Sequence, residues 1–417
     1  MSSILPQKII IILYAFVSGI TIVNGQGNTG WPGFHGSDRL NKSKETGLLK
    51  AWPENGPSLE WTASGIGEGF SSVAIADGLI FTSGKSEGQT FVFAFNMDGK
   101  LVWKKANGGA RDVEVAWASS YNGPRSTPTY DNGIVYHLGE AGRLSAFKSK
   151  TGELVWAREL TRDFQAEIPV YGFSESVLVD GNNLYVRPGG KTGFQVCLDK
   201  KTGKTIWMNN EIPGTNGYNS MVISDFGGVH QLIGASSICF YSVDTKTGKL
   251  IWKFDFENQH GLNCTDAIVF NEYVFITTEI KGSALLKMES SGNKISIKEV
   301  WQNNQLMDNE HGGLLLHDGY VYGCGSASRS WFCVEFLTGK VMWKTQGTGS
   351  LTFADGMLYL YNERGTVSLV KASEAGFEKT GEFKAPSTGR GPYWAHPVVF
   401  GGKLYIRYND GIYRYDI

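Results

Sequence analysis

Apolar and polar residues alternate along this chain in short runs, and Asp-Gly or Asn-Gly pairs punctuate them. The runs read "DGLIF" (77–81), "DNGIVY" (131–136), "DGNNLY" (180–185), "DGYVY" (318–322), "DGMLY" (355–359) and "GGKLY" (401–405), with "NEYVF" (271–275) as a degenerate copy. A Gly that tolerates positive φ, followed by alternating apolar residues, predicts a tight hairpin. A second pattern lies between these runs. "DGKLVW" ends at Trp103, "TGELVW" at Trp156, "TGKTIW" at Trp207, "TGKLIW" at Trp252 and "TGKVMW" at Trp343. "IKEVW" at Trp301 lacks the glycine, "KTGEF" puts Phe383 where tryptophan is expected, and "PSLEW" at Trp61 is a detached early copy.

Each unit therefore reads as strand, Asp-Gly turn, strand, loop, strand, Thr-Gly turn and a strand ending in Trp, at a spacing of about 40–50 residues that suits propeller blades. Counting units predicts an all-β chain, an eight-bladed β-propeller of four-stranded antiparallel blades. Seven blades end at Trp103, Trp156, Trp207, Trp252, Trp301, Trp343 and Phe383; the eighth begins near Trp394 and reaches Ile417 one strand short. The N-terminal "PSLEW" strand is expected to close that last blade, removing the exposed sheet edge. The repeated tryptophans are expected to pack between blades.

Composition agrees with many short strands and tight turns: 54 of 417 residues are Gly and 13% are aromatic. The net charge of −1 provides no basic field for nucleic acid. Lys8 precedes an apolar run from Ile9 to Val23, the length of a signal-peptide core and short for a membrane span. The expected organisation is a signal peptide over 1–25, cleaved near Gly25, a lead-in over 26–56 and the propeller over 57–417, giving an exported, soluble, monomeric protein. No cysteine precedes Cys197, so no lipid anchor on cysteine is expected near the cleavage site. The five cysteines have neither disulfide-scaffold nor zinc spacing, although Cys324 and Cys333 flank a hairpin turn that a bridge could span.

The "DGxxY…TGxxxW" repeats, with "GWPGFHG" and "GEGFSSVAIADG" ahead of them, resemble the pyrroloquinoline-quinone (PQQ)-like, quinoprotein-dehydrogenase-like propellers of exported bacterial proteins, over nearly all of the mature chain. The resemblance implies the fold and leaves the activity open. Quinoprotein dehydrogenases carry adjacent cysteines over the cofactor, and no Cys-Cys or CxxCH occurs here, so no cofactor is expected and PQQ is disfavoured. The barrel-assembly lipoprotein of similar fold carries a lipidated cysteine that has no counterpart here.

The segments that escape the repeat converge on one face of a propeller, where a binding site is expected. They hold His260, His311 and His396, together with Tyr171, Tyr218, Tyr393, Arg125, Arg187, Lys191 and Arg390; His137, His230 and His317 fall in strand or turn patterns, and His35 in the lead-in. No GxSxG, HExxH or P-loop occurs. Glu167, Asp308 and Glu310 are candidate glycosidase carboxylates that nothing pairs by spacing. Tyr, His and cations together suit β-elimination on a uronic acid, where charge builds on the sugar carboxylate. The similarity to propellers of polysaccharide-utilisation systems, oligosaccharide dehydratases of ulvan breakdown among them, implies an acidic oligosaccharide as partner and a dehydratase or lyase as activity. His311, Tyr218, Tyr171 and His260 are the candidate acid/base residues. Arg125, Arg187, Lys191, Asn219, Glu310, Arg390, Trp394 and His396 are the candidate substrate contacts, and no metal ligand is singled out. A non-catalytic scaffold for proteins or peptides is the alternative reading, and PQQ-dependent oxidation the third.

Overall fold

The computed structural model describes residues 30–111, 121–292, 294–387 and 389–417; the expected signal peptide lies outside them. Eight four-stranded antiparallel sheets form the ring. Blade one comprises Ala74–Ala76, Leu79–Ser86, Gln89–Asn96 and Leu101–Gly109. The next six blades occupy 129–159, 178–209, 222–255, 268–303, 315–346 and 349–384. Blade eight takes Val398–Phe400, Lys403–Tyr408 and Gly411–Asp416 from the C-terminus and Leu59–Ala63 from the beginning, with Leu59 paired to Tyr415 and Ala63 to Ile412. The early "PSLEW" copy thus closes the ring.

The Asp-Gly pairs make the inner hairpin turns. Asp77 and Gly78 have φ of 57° and 73°, and Asp318 and Gly319 48° and 85°. Two successive positive φ values match the twist of the flanking strands. The tryptophans lock successive blades together. Trp103 Nε1 donates to the Ser149 carbonyl at 2.7 Å, Trp156 to Lys200 at 2.9 Å and Trp207 to Thr245 at 2.9 Å, each in the following blade. Each indole lies under the turn glycine of that blade, so a Cβ on Gly152, Gly203 or Gly248 would sit 2.8, 2.8 or 2.4 Å from the ring. Trp252 departs from this pattern. The following hairpin, Gly282–Ser291 with Lys294–Asn303, is longer and lacks the motif's glycine, and Trp252 Nε1 donates to Gln231 Oε1 of its own blade at 3.1 Å. Apolar clusters join neighbouring blades throughout, as where Tyr136 and Leu138 of blade two pack with Leu184 and Val186 of blade three.

The lead-in does not lie aside as a separate segment. Trp31 exchanges backbone hydrogen bonds with Ile75, Pro32 accepts from Tyr130 N–H, Arg39 donates to the carbonyls of Ser176, Val177 and Met221, and Asn41 Nδ2 donates to Leu351. Only a segment on the axis reaches the inner strands of so many blades, and residues 30–43 plug the channel. Cys324 and Cys333 lie on paired strands but face Trp331 and Tyr322 respectively, so they stand diagonally across the ladder. Diagonal neighbours are about 7–8 Å apart, beyond disulfide reach, and all five cysteines are free.

Gly203→Ala places a methyl group against Trp156 at a residue with φ +69°, whereas Gly319→Ala, at φ +85°, meets open space. The first is expected to cost about 2–4 kcal/mol and the second about 1 kcal/mol, as strain alone. Urea midpoints measure both, and equal losses would show that the indole–glycine contact does not hold blades together.

Candidate functional site

The position five residues before each inner turn, seven in the outlying fourth blade, repeats around the axis as Ser72, Thr127, Ser176, Ser220, Asp266, Gly313, Ser350 and His396. Hydroxyls at these positions link one blade to the next. Ser72 N–H donates to Thr127 Oγ1 at 3.0 Å, Thr127 N–H to Ser176 Oγ at 2.9 Å and Ser176 N–H to Ser220 Oγ at 3.0 Å. Ser220 N–H then donates to Asp266 Oδ1 at 2.7 Å. Asp266 and His396 are where this ring carries ionisable groups in place of hydroxyls. Gly313 leaves room for one of them, since its Cβ would lie 3.1 Å from His396 Cε1.

Above the ring the inter-blade loops enclose a cavity of about 260 Å³, walled by Phe34, Phe70, Tyr121 and Trp394 among others. Tyr121 stacks on Trp394 with ring centres 5.0 Å apart. Three ionisable centres face this space. In the first, the almost fully buried His311 places Nε2 2.6 Å from Glu363 Oε1, the oxygen that also accepts from Trp394 Nε1 at 2.6 Å. Burial opposes charge on His311, but the neighbouring Cys324 sulfur and Glu363 outweigh it and raise its pKa to about 10. Burial likewise pushes Glu363 up, and its contacts with His311 and Trp394 hold it below the usual range. At neutral pH the pair is an imidazolium and a carboxylate.

The second centre is the floor. His396 Nε2 lies 3.0 Å from the His311 carbonyl, which can only accept, so the proton sits on Nε2 and Nδ1 is left as an acceptor. His35 Nε2, 2.8 Å away, is its donor. The remaining nitrogen of His35, Nδ1, then faces Asp266 Oδ2 at 3.6 Å with a lone pair. Burial holds both imidazoles neutral, His35 well below the ordinary value and His396 down to about 4. The third centre is Tyr218, whose ring meets Tyr171 edge-on with centres 6.0 Å apart; burial raises its hydroxyl to about 12, so it stays protonated.

Of the residues expected from sequence, His311, Tyr218, Tyr171, Arg125, Glu310, Trp394 and His396 line this cavity. Arg125 donates to the carbonyls of Tyr121, Gly123 and Tyr171, and so also braces the loops. His260 and Lys191 lie in an adjoining groove of about 960 Å³, which shares Tyr171, Tyr218 and Glu310 with the cavity. There His260 pairs with Glu279 at 2.8 Å and Lys191 approaches Glu167 at 3.9 Å. Five expected residues are set apart from this cavity by burial or position. Arg187 is fully buried and donates through Nε to Asn216 and through Nη2 to Gly217 and Asn219, anchoring the 216–219 loop. Asn219 is buried with it, bonded to Ser220 and Asn263. Tyr393 stacks on Tyr408 within the core. Arg390 lines a separate depression with Glu68 and Asn409. Asp308 caps the Ala327 N–H in a turn, away from Glu167. Sequence reading missed Asp266, Glu363, Phe34 and His35. A signal for Asp266 existed as a departure from the hydroxyl rule, visible once the blades are aligned.

Residues 89–345, more than half of the chain, match the family model described as outer membrane protein assembly factor BamB (PQQ_2). The chain is 26% identical to the outer membrane protein assembly factor BamB of Moranella endobia (strain PCIT), over 44% of this chain and 45% of that one. It is 24% identical to the quinohemoprotein alcohol dehydrogenase ADH IIB of Pseudomonas putida, over 34% and 22%. The chain thus spans less than half the length of these relatives. Among solved structures, the BamB of Moraxella catarrhalis superposes with a TM-score of 0.60 at 14% identity, covering 86% of this chain and 97% of the other. The quinohemoprotein alcohol dehydrogenase of Comamonas testosteroni gives 0.64 at 14% identity, covering 93% and 80%. Both show the shared fold.

His311 ordinarily titrates at 6.5 and in the fold at about 10. Its contribution to stability is complete below the unfolded value and is lost as pH rises through the folded one. Unfolding free energy is therefore expected to fall between about pH 6.5 and pH 10, more steeply than in a Glu363→Gln variant, whose His311 has lost its anion. Equal slopes by denaturant titration would show that His311 is neutral.

Proposed function

The chain belongs to the outer membrane protein assembly factor BamB family of PQQ-like propellers, and we propose that in this member the axial cavity binds an acidic sugar and transforms it by β-elimination. The observation that carries this reading is the buried His311 imidazolium, held by Glu363 beside the stacked Tyr121 and Trp394. Aromatic faces suit the apolar face of a pyranose ring. A fixed cation is what the carboxylate of a uronic acid needs as charge develops on it during loss of the C5 proton. Tyr218, protonated at neutral pH, then supplies a proton to the oxygen leaving C4. A free hydroxyl departs as water, making the enzyme a dehydratase; a glycosidic oxygen makes it a lyase. The adjoining groove offers room for the rest of an oligosaccharide of ulvan type.

Family likeness favours a second reading, a propeller that holds proteins rather than sugars. The relatives are named as assembly factors, and loop substitutions would then change partner capture without any sugar product. Oxidation through PQQ fits the residues poorly. A planar, multiply anionic quinone needs cations and a metal at its oxygens, whereas Arg125 is engaged with loop carbonyls, and the cavity presents the carboxyls of Asp266 and Glu310. Among the described residues no group of three His, Cys, Asp or Glu side chains is placed to hold a metal ion.

Incubation with uronic-acid oligosaccharides is expected to produce the ultraviolet absorbance of a conjugated alkene, with mass spectrometry showing loss of one water or chain cleavage. His311→Ala is expected to lower turnover at least about a hundredfold. No product from a broad acidic panel with folded protein would transfer the case to the scaffold reading.

A further inference from the structure

Elimination needs a base for the C5 proton, and neither His311, already charged, nor Tyr218, firmly protonated, can serve. Resting on the elimination reading, we propose that Asp266 is that base, acting through Oδ2, with His35 of the axial plug as its positioning residue.

Internal comparison within the ring carries the argument. At this place in the blade the other linking residues are Thr127, Ser176 and Ser220, and a hydroxyl suffices to accept the neighbouring N–H. Asp266 does that structural work with Oδ1 alone, accepting from Ser220 N–H at 2.7 Å. Its second oxygen is surplus to the architecture: it is buried, has no hydrogen-bond partner, and belongs to a side chain lining the cavity. His35 Nδ1 lies 3.6 Å from it, and the hydrogen bonds from His35 to His396 and from His396 to the His311 carbonyl leave that nitrogen as a lone pair. A carboxyl opposite a lone pair can hold a proton there and give it up again.

The charged groups around Asp266 come from three directions: Arg39 on the plug, Arg187 in blade three, and Glu175 on the loop entering that blade. Burial lifts the Asp266 carboxyl to about 7 despite Arg39 and Arg187. It is thus divided between acid and carboxylate at neutral pH, as an effective base must be. Asp266 and His35 also line a groove of about 860 Å³ that includes Arg39 and Lys42 of the plug, a second way for protons to exchange while the mouth is filled.

The step balances. Oδ2 takes the C5 proton, the C–H electron pair becomes the C4=C5 double bond, and the C4–O bond breaks with its pair on oxygen. That oxygen takes the Tyr218 proton. Turnover leaves Asp266 protonated and Tyr218 ionised, and one proton passing from the first to the second through water in the emptied cavity restores both.

Asp266→Ser tests the assignment with a residue that the ring already uses, so the fold should survive, as melting would verify. Turnover is expected to fall at least about a hundredfold with substrate still bound, and wild-type kcat to fall as pH drops through about 7. Infrared spectra should show a protonated-carboxyl band that disappears through the same pH range and is missing from Asp266→Ser. His35→Phe should move that band's titration and the acid limb of kcat by equal amounts, which a purely structural role would not do. Elimination at the wild-type rate by folded Asp266→Ser would overturn the base assignment alone, as would the absence of any carboxyl titrating between pH 5 and 9. A normal infrared titration with no product from any uronic-acid substrate would overturn the elimination reading, and the base role with it.

Discussion

Each blade leaves one apolar face uncovered until the next blade stacks against it, so no blade is stable by itself and the ring must close. The strand Leu59–Ala63 completes blade eight and joins the two ends of the repeat array. Everything else in the structure depends on that pairing. It removes the last sheet edge, sets the number of blades around the axis and so determines which loops face one another. The indole–glycine contacts are the local form of the same constraint. They index most blades against their neighbours, and where the glycine is missing, at blade five, Trp252 turns back to its own sheet.

A closed ring of eight short inner strands leaves an axial channel, and here residues 30–43 fill it. The plug does more than occlude. It brings Phe34 and His35 under a cavity whose other walls come from loops between residues 70 and 396, and His35 bonds to His396 across 361 positions of sequence. The hydroxyl ring beneath the loops ties blades one to five together at the floor, because the N–H groups of Ser72, Thr127, Ser176 and Ser220 are each satisfied by the neighbouring blade.

Burial acts oppositely on the histidines of this floor and wall. His35 and His396 are kept neutral because no anion pairs with them closely enough to offset desolvation. His311, equally buried, is charged because the neighbouring Cys324 sulfur and Glu363, 2.6 Å away, outweigh desolvation. Neutral and cationic imidazoles therefore stand side by side, separated by one backbone carbonyl, and the cavity presents a fixed positive charge above a proton-exchanging floor.

Ring architecture was legible in the chain because its signals are local. Positive φ at an Asp-Gly turn, alternation along a strand and a Trp one strand beyond a glycine are all decided within about ten residues, and the repetition made the count and the closing strand deducible. His311, Tyr218 and Trp394 were reachable too, since non-repeating loops of a propeller open on one face. What the sequence could not determine was depth and partnership. Arg187 and Arg125 look alike in a loop, yet one is sealed inside the 216–219 turn and the other reaches the cavity wall. Glu363 belongs to an ordinary strand turn, and His35 to a lead-in without periodicity. Only closure of the ring sets the carboxylate against His311 and the imidazole against Asp266, because both contacts join segments that no local pattern relates.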